Sequence, residues 1–249
     1  MRHDQIAMQL YTLRRLAADD LAGTLRSVSA AGYRAVELAG LPDIAPAELK
    51  RMLDDTGLQP IASHEGIERL RTDPGAVAGR LVELGCPRAI VPWMPEADRA
   101  TAAAVRAFAS ELGGYARRMA EDGLRIGYHN HDFEFGAVEG STIWDTLRAT
   151  LPTDVELELD VYWASVGGRD PVTEIAAIAD RVRLLHMKDR AAGPTPHDAP
   201  VGAGTLPIAA MVEAARAAGV EWFIVEQDEP AEPLANIATS LRYLETLTD

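Results

Sequence analysis

Along this chain, short runs of aliphatic and β-branched residues alternate from end to end with longer stretches whose apolar residues fall three or four apart. The short runs "IAMQLY", "AVELA", "QPIASH", "RAIVPW", "LRIGYHN", "VELELD", "RVRLLHM" and "WFIVEQD" predict eight strands. The longer ones predict helices, among them "DDLAGTLRSVSAAG", "APAELKRMLDD", "PGAVAGRLVELG" and "RATAAAVRAFASELGGYARRMAEDG", several ending on a Gly suited to a C-cap. Four more follow at "STIWDTLRATL", "DPVTEIAAIADR", "LPIAAMVEAARAAG" and "EPLANIATSLRYLETL". Such alternation, with no composition break or linker, predicts parallel strands with helical crossovers. Eight units closing on themselves make a single (β/α)8 TIM barrel over residues 1–249. A doubly wound open sheet is the alternative, weakened because "QLYTLRRLAADD" after the first strand has no GxGxxG phosphate turn. The one long irregular stretch, "RAAGPTPHDAPVGAGTL", follows the seventh strand and is expected either to fold over the barrel mouth or to remain a surface loop.

Strand parity sorts the polar residues. In "VELELD", Val155, Leu157 and Leu159 share one side and Glu156, Glu158 and Asp160 the other, so a carboxylate column faces the axis when the apolar set faces the helices. His129 and His131 share a face in "GYHNHD", as do His186 and Lys188 in "RLLHMKD", and Glu226 and Asp228 in "FIVEQD". Working residues of such barrels sit at the C-terminal strand ends. Strands five to eight therefore bring His129 or His131, Asp160, His186 and Glu226 to one end. Imidazole and carboxylate are ligands for Mn²⁺, Zn²⁺, Co²⁺ or Mg²⁺. A divalent cation also keeps close carboxylates ionised, which otherwise repel and take up a proton. Each residue has a plain structural reading too: a core histidine, Asp160 as a turn cap, Glu226 paired with an Arg, Trp93 and Trp163 as packing, Lys188 and Asp189 as an exposed ion pair. The coincidence of parity, strand end and ligand chemistry on four adjacent strands favours the metal.

Charge and composition narrow the function classes. A formal net charge of -14 argues against nucleic acid and anionic membrane as partners. The opening "MRHDQIAMQL" lacks a signal-peptide core, and no stretch approaches the roughly 20 apolar residues of a membrane span, so a cytoplasmic protein is expected. Cys86 is the only cysteine, leaving nitrogen and oxygen to hold any metal.

The segments "QLYTLR", "GYRAVEL", "YHNHDFEF", "LDVYWASVGGRDP", "LLHMKD", "PVGAGTL" and "VEQD" resemble, in order and spacing, the xylose-isomerase-like TIM-barrel family of sugar phosphate isomerases and epimerases. The resemblance covers essentially the whole chain and implies a metal-dependent isomerase or epimerase acting on a small-molecule carbohydrate. The wider superfamily includes ketose 3-epimerases, inosose dehydratases, keto-glycoside-cleaving enzymes and endonuclease IV. A lyase or dehydratase on an inosose or 3-keto-glycoside is thus the alternative; an endonuclease-IV-like repair enzyme and a non-catalytic sugar binder are further ones. The epimerase branch holds its metal with Glu, Asp, His and Glu from strands five to eight. Asp160, His186 and Glu226 match the last three, while His129 stands where many relatives have the first Glu. Glu134 remains an alternative ligand or base, and Trp163 stands where those epimerases have a substrate-binding His. His131, Glu134 and Glu226 are the candidate bases, and Lys188 the group that stabilises an enediolate oxygen. His64, Glu37, Gln9, Trp93 and Trp163 are expected to bind substrate. Without a glycine-rich anion nest, neutral sugars or keto-sugars are preferred to phosphorylated ones. Pairing into a homodimer is left open.

Overall fold

The β-rich runs extend as eight strands in the computed structural model, which describes residues 1–248. They are β1 (Ile6–Gln9), β2 (Ala35–Leu38), β3 (Gln59–His64), β4 (Arg88–Val91), β5 (Arg125–His129), β6 (Val155–Asp160), β7 (Val182–Met187) and β8 (Trp222–Val225). Each pairs in parallel with its sequence neighbours, and β8 closes on β1, so the sheet is a closed barrel and not an open doubly wound one. The helices form where the apolar spacing predicts them. Asp20, Asp73, Thr101 and Thr142 cap helix N-termini through side-chain oxygens, and Gly57, Gly85 and Gly219 close helix C-termini. Among the described residues, no helix is long and apolar enough to cross a membrane.

Alternation within the strands creates two cores. Outward residues such as Met8, Val36, Val91, Tyr128, Leu157, Leu159, Leu185 and Phe223 pack against the helical ring. Inward residues form three tiers along the axis. At the N-terminal end, Arg88 and Arg125 pair with Glu156 and Glu221. Above them Ala7, Ala35, Ile61, Ala62, Ile90, Leu184 and Ile224 make a small apolar plug. Gly127 belongs to this tier because a Cβ there would lie 2.7 Å from Ile90 Cδ1, which fills the axis in its place. The third tier is polar and lies at the C-terminal strand ends.

The stretch from Arg190 to Leu206 is tied down by Asp189. That buried carboxylate accepts the backbone N–H groups of Arg190 and Leu206 on Oδ1, and of Gly202 and Gly204 on Oδ2, at 2.8 to 3.0 Å. A Cβ on Gly204 would fall 2.3 Å from the same carboxylate, so the approach requires glycine. A short antiparallel ribbon, Asp189–Arg190 with Asp198–Ala199, completes the segment. This corrects the reading of Lys188 and Asp189 as an exposed pair: both are buried, and each faces different partners.

Candidate metal centre and active site

Register sets the polar tier. Gln9 lies opposite Glu37, His129 opposite Glu158, and Asp160 opposite His186, so neighbouring strands deliver donors at matched heights. His64 enters from the end of β3. Three imidazole nitrogens then converge on one oxygen: Oε2 of Glu158 is 3.0 Å from His64 Nε2, 3.0 Å from His129 Nδ1 and 3.2 Å from His186 Nε2. Glu37 Oε2 stands 2.7 Å from His186 Nε2 and accepts a 2.8 Å bond from Gln9 Nε2. The second oxygens of both Glu37 and Glu158 are buried without a hydrogen-bond partner.

A second group lies beside it, sharing His186. The other ring nitrogen of His186, Nδ1, is 2.8 Å from Glu226 Oε2. Asp160, His186 and Glu226 offer ligand atoms close enough to share one ion, as do His64, His129, Glu158 and His186. Lys188 occupies the space between the carboxylates of this second group. Its ammonium is 3.2 Å from Asp160 Oδ2, 2.9 Å from Glu226 Oε2 and 3.0 Å from Asp228 Oδ2. Asp160 also caps the helix Val161–Val166, its Oδ1 accepting the Trp163 N–H at 2.9 Å. The donors are all nitrogen and oxygen, and buried carboxylate oxygens lack partners, so the residues present fit a divalent ion.

The electrostatics follow from crowding acids and imidazoles without water. Burial and the neighbouring Glu158 charge push Glu37 up to about 7, against the pull of His64 and His186. Burial would raise Glu158 likewise, but the charge of His186 and the bonds from three imidazoles hold it well below the usual carboxylate range. His129 goes the other way, lowered to about 3 by burial and by the charge on His186. His131 is lowered to about 2 by burial and by His129 and Lys188. Burial raises Asp160 to about 6, although Lys188 opposes it. Burial would lower Lys188, but Asp160, Glu226 and Asp228 outweigh it and hold the ammonium well above its ordinary value.

A cleft of about 450 Å³ opens onto this tier, lined by Tyr11, Arg14, His64, Trp93, His129, His131, Lys188, Glu226 and Asp228, among others. A wider hollow of about 850 Å³ at the barrel's other end is lined by no histidine. Of the sequence candidates, His64, His129, His131, Lys188, Glu226 and Trp93 reach the cleft wall, and Gln9, Glu37, Asp160 and His186 are buried beneath it. Trp163 sits behind His131, with ring centroids 5.7 Å apart. Glu134 is not brought into the cluster. After His129 the chain leaves the strand and makes a 3₁₀ turn, Phe133–Phe135, which breaks the alternation and aims Glu134 at Tyr128 on the helix side. There it accepts the Tyr128 hydroxyl at 2.5 Å and the His131 N–H at 2.8 Å. Asn130, between the two imidazoles, accepts the Asp160 N–H at 3.0 Å and ties β5 to β6.

Glu158 is the cluster's central carboxylate, although sequence reasoning assigned it no role. Its shared parity with Asp160 was the available signal. What parity lacks is depth along the axis, since a residue one step below a strand end is as inward as the end itself.

These features define a class: a parallel (β/α)8 barrel with an imidazole and carboxylate cluster at its C-terminal mouth. The chain belongs to the xylose isomerase-like TIM barrel family, whose model matches residues 25–247. Among solved structures it is similar to a sugar phosphate isomerase/epimerase from Parabacteroides distasonis, at 26% identity and a TM-score of 0.83, covering 96% of this chain and 97% of that one. It also shares its fold with the IolI protein solved with a zinc atom (16% identity, TM-score 0.74, 98% and 97% covered). A third similar fold is the probable 3-DHS dehydratase AsbF from Bacillus anthracis (9% identity, TM-score 0.74, 98% and 99% covered). No curated protein sequence gives a significant match.

Proposed function

We propose that the chain is a divalent-metal-dependent isomerase or epimerase of a sugar or keto-sugar that removes a carbon-bound proton beside a polarised carbonyl. The observation that carries this reading is the convergence of imidazoles and carboxylates around His186 directly beneath an open cleft. A divalent ion held by these donors would supply Lewis acidity toward a substrate carbonyl, and the similar IolI fold was solved with a bound zinc atom. Lys188, charged and buried with its three donors toward Asp160, Glu226 and Asp228, would stabilise developing enediolate charge through its positive charge rather than through a free N–H. His131 lines the cleft and its Nδ1 makes no hydrogen bond, but burial, His129 and Lys188 lower it to about 2, so it can receive the proton only as negative charge developing on the substrate beside Lys188 offsets theirs. Tyr11 and Trp93, both exposed on the cleft wall, give flat apolar faces for a sugar ring.

A neutral substrate fits better than a phosphorylated one. The cations on the wall are Arg14 and Lys188, and both are engaged. Arg14 pairs with Glu229 at 2.5 Å and with the Asp228 carbonyl at 2.7 Å, and Lys188 with its three acids. A phosphate would have to displace one of these pairs. The same engagement speaks against a nucleic-acid backbone in the cleft.

One observation favours a lyase or dehydratase as the second reading. Of the residues lining the cleft, His131 alone carries a buried side-chain atom without a hydrogen-bond partner, which suits one base rather than two on opposite substrate faces. The AsbF fold likeness accords with elimination but is too distant to carry it. Incubating the zinc- or manganese-loaded protein with ketoses, inososes and 3-keto-glycosides in D₂O separates the two. An isomerase or epimerase places solvent deuterium on the carbon beside the carbonyl, whereas a lyase releases an unsaturated ketone absorbing in the ultraviolet. Conversion of none of these by the loaded protein would reject both readings.

A further inference from the structure

We propose that a side pocket beside the mouth is a subsite for a second, neutral sugar ring, so that the substrate is a glycoside of at least two units with its ketone on the ring held over the imidazole and carboxylate cluster. This rests on the sugar or keto-sugar reading above and extends it to the class of substrate.

A pocket of about 320 Å³ lies between residues 39–44, which follow β2, and the end of β3. Ala39, Gly40 and His64 line both this pocket and the mouth cleft, so the two spaces adjoin there. Two of these three residues carry no side chain beyond a methyl, and the sill between the spaces is low. Gly40 has a φ of +65°, and a Cβ on it would lie 2.8 Å from Tyr11 Cδ2 and 3.1 Å from Arg14 Cβ. Glycine thus lets the segment pass close against two residues of the cleft wall. Sites for small ligands run from about 300 to 1,000 Å³. The mouth cleft of about 450 Å³ and the side pocket are each of single-ring size.

A buried carboxylate organises the pocket. Glu65 is wholly buried, and its Oε1 accepts the Ser63 hydroxyl at 2.8 Å and Arg80 Nη1 at 2.6 Å. Its Oε2 stands 3.0 Å from Arg69 Nη1, an ion pair without the alignment of a hydrogen bond. One acid therefore anchors two guanidiniums, brought in by the helices Ile67–Thr72 and Pro74–Leu84. The other N–H groups of Arg69 and Arg80 have no protein partner among the described residues, and both side chains line the pocket. Ordering two arginines around one acid costs rotamer entropy that an ion pair open to water scarcely offsets, whereas it suits presenting fixed N–H edges to a ligand.

Charge decides what those edges meet. Arg69 and Arg80 are balanced by Glu65 and by the exposed Asp43 on the same wall, so no net positive charge calls for an anion. Neutral hydroxyls fit this balance: guanidinium N–H groups donate to their oxygens, and the Asp43 carboxylate accepts from their O–H groups. Leu41, Pro42 and Ile44 add apolar surface on the loop side. Hydroxyls at the edge and C–H groups on the face are the two surfaces of a sugar ring. The assignment holds whether the reacting ring is isomerised or cleaved from its neighbour.

The test compares kcat/KM of the zinc- or manganese-loaded protein for the 3-keto derivatives of methyl glucoside, maltose and cellobiose. One of the two disaccharides should exceed the methyl glycoside by at least about tenfold, mainly through KM, the scale of hydrogen bonds from charged groups. Arg80→Met should shrink that advantage to less than about threefold, and Arg69→Met serves where loss of the Glu65 partner unfolds the first variant. No advantage in the wild type, or an advantage kept intact in the folded variant, overturns the subsite and leaves the metal-dependent reading standing. Conversion of none of the three counts against that reading instead, and saturation-transfer NMR with unoxidised maltose and cellobiose then judges the pocket by itself. Transfer to both rings in the wild type and to one in the variant supports the subsite. Transfer to no more than one ring in the wild type, or to both in the variant, overturns it.

Discussion

The two ends of the barrel axis are built from the same strands and the same kinds of residue, yet they settle their charges differently. At the floor, Arg88 Nε meets Glu156 Oε2 at 2.9 Å, Arg125 Nη1 meets Glu156 Oε1 at 2.9 Å, and Glu221 pairs with both arginines. Two guanidiniums balance two carboxylates, and none of their side-chain atoms is buried without a hydrogen bond. At the mouth, Glu37, Glu158, Asp160, Glu226 and Asp228 crowd around one lysine and three imidazoles, and three carboxylate oxygens, one each of Glu37, Glu158 and Asp160, are buried without a hydrogen bond. The balanced end is a structural plug. The unbalanced one carries an excess of buried negative charge that a divalent cation would offset, which is why we place the chemistry there.

Substitutions at the two ends should have opposite effects. Replacing Arg88 with Met strips the floor of its most buried cation and should cost about 3 kcal/mol in urea unfolding, the low end for a broken buried pair because Arg125 still reaches Glu156. Zinc affinity of the folded variant should stay within about twofold, since the apolar plug separates floor from mouth. A variant that keeps its stability but loses zinc would show that the floor is no independent plug. Replacing Lys188 with Met should do the reverse at the mouth: kcat falls by about 100–1000-fold with zinc still bound, as for the loss of one group stabilising developing charge. An unchanged kcat removes Lys188 from the mechanism. Smaller is Asp189→Ala, which frees four backbone N–H groups and should cost about 1–3 kcal/mol while exposing residues 190–206 to limited proteolysis. Resistance equal to wild type would mean that the segment is held by other contacts.

Per pH unit, the smallest effect is a slope in the stability of the chelator-stripped protein. His129, lowered to about 3, refuses in the folded state the proton that the unfolded chain takes up near 6.5. Its contribution to stability is therefore complete above 6.5 and shrinks as pH falls toward 3, at about 1.4 kcal/mol per pH unit. Glu37, pushed up to about 7, opposes this, because its folded carboxyl holds a proton that the unfolded one releases. Subtracting the His129→Asn profile from wild type isolates the imidazole: between pH 4 and 6 the variant should lose stability less steeply, by about one proton's slope. Parallel profiles would mean that His129 titrates in the folded chain as it does in the unfolded one.

Much of this architecture was legible in the letters because it depends on period. Eight runs with helical stretches between them closed as the alternation predicts, and parity alone turned Glu158, Asp160, His186 and Glu226 toward the axis. What stayed hidden depends on depth and on departures from regular backbone. Parity does not distinguish Glu158, at the centre of three imidazoles, from Asp160 one step higher beside Lys188. The 3₁₀ turn after Asp132 carries Glu134 to the far side of its strand, which no strand-based count foresees. The apparent looseness of "PVGAGTL" concealed a buried carboxylate whose partners are backbone groups, and backbone partners leave little trace in side-chain chemistry.

The most direct measurement of the central claim is a calorimetric titration of Zn²⁺ into the chelator-stripped chain, followed by an assay of deuterium exchange into the best substrate of the panel. One tightly bound ion per chain is expected, with exchange that appears only after its addition. A stripped protein that binds no ion, or that exchanges at the full rate without one, would contradict it.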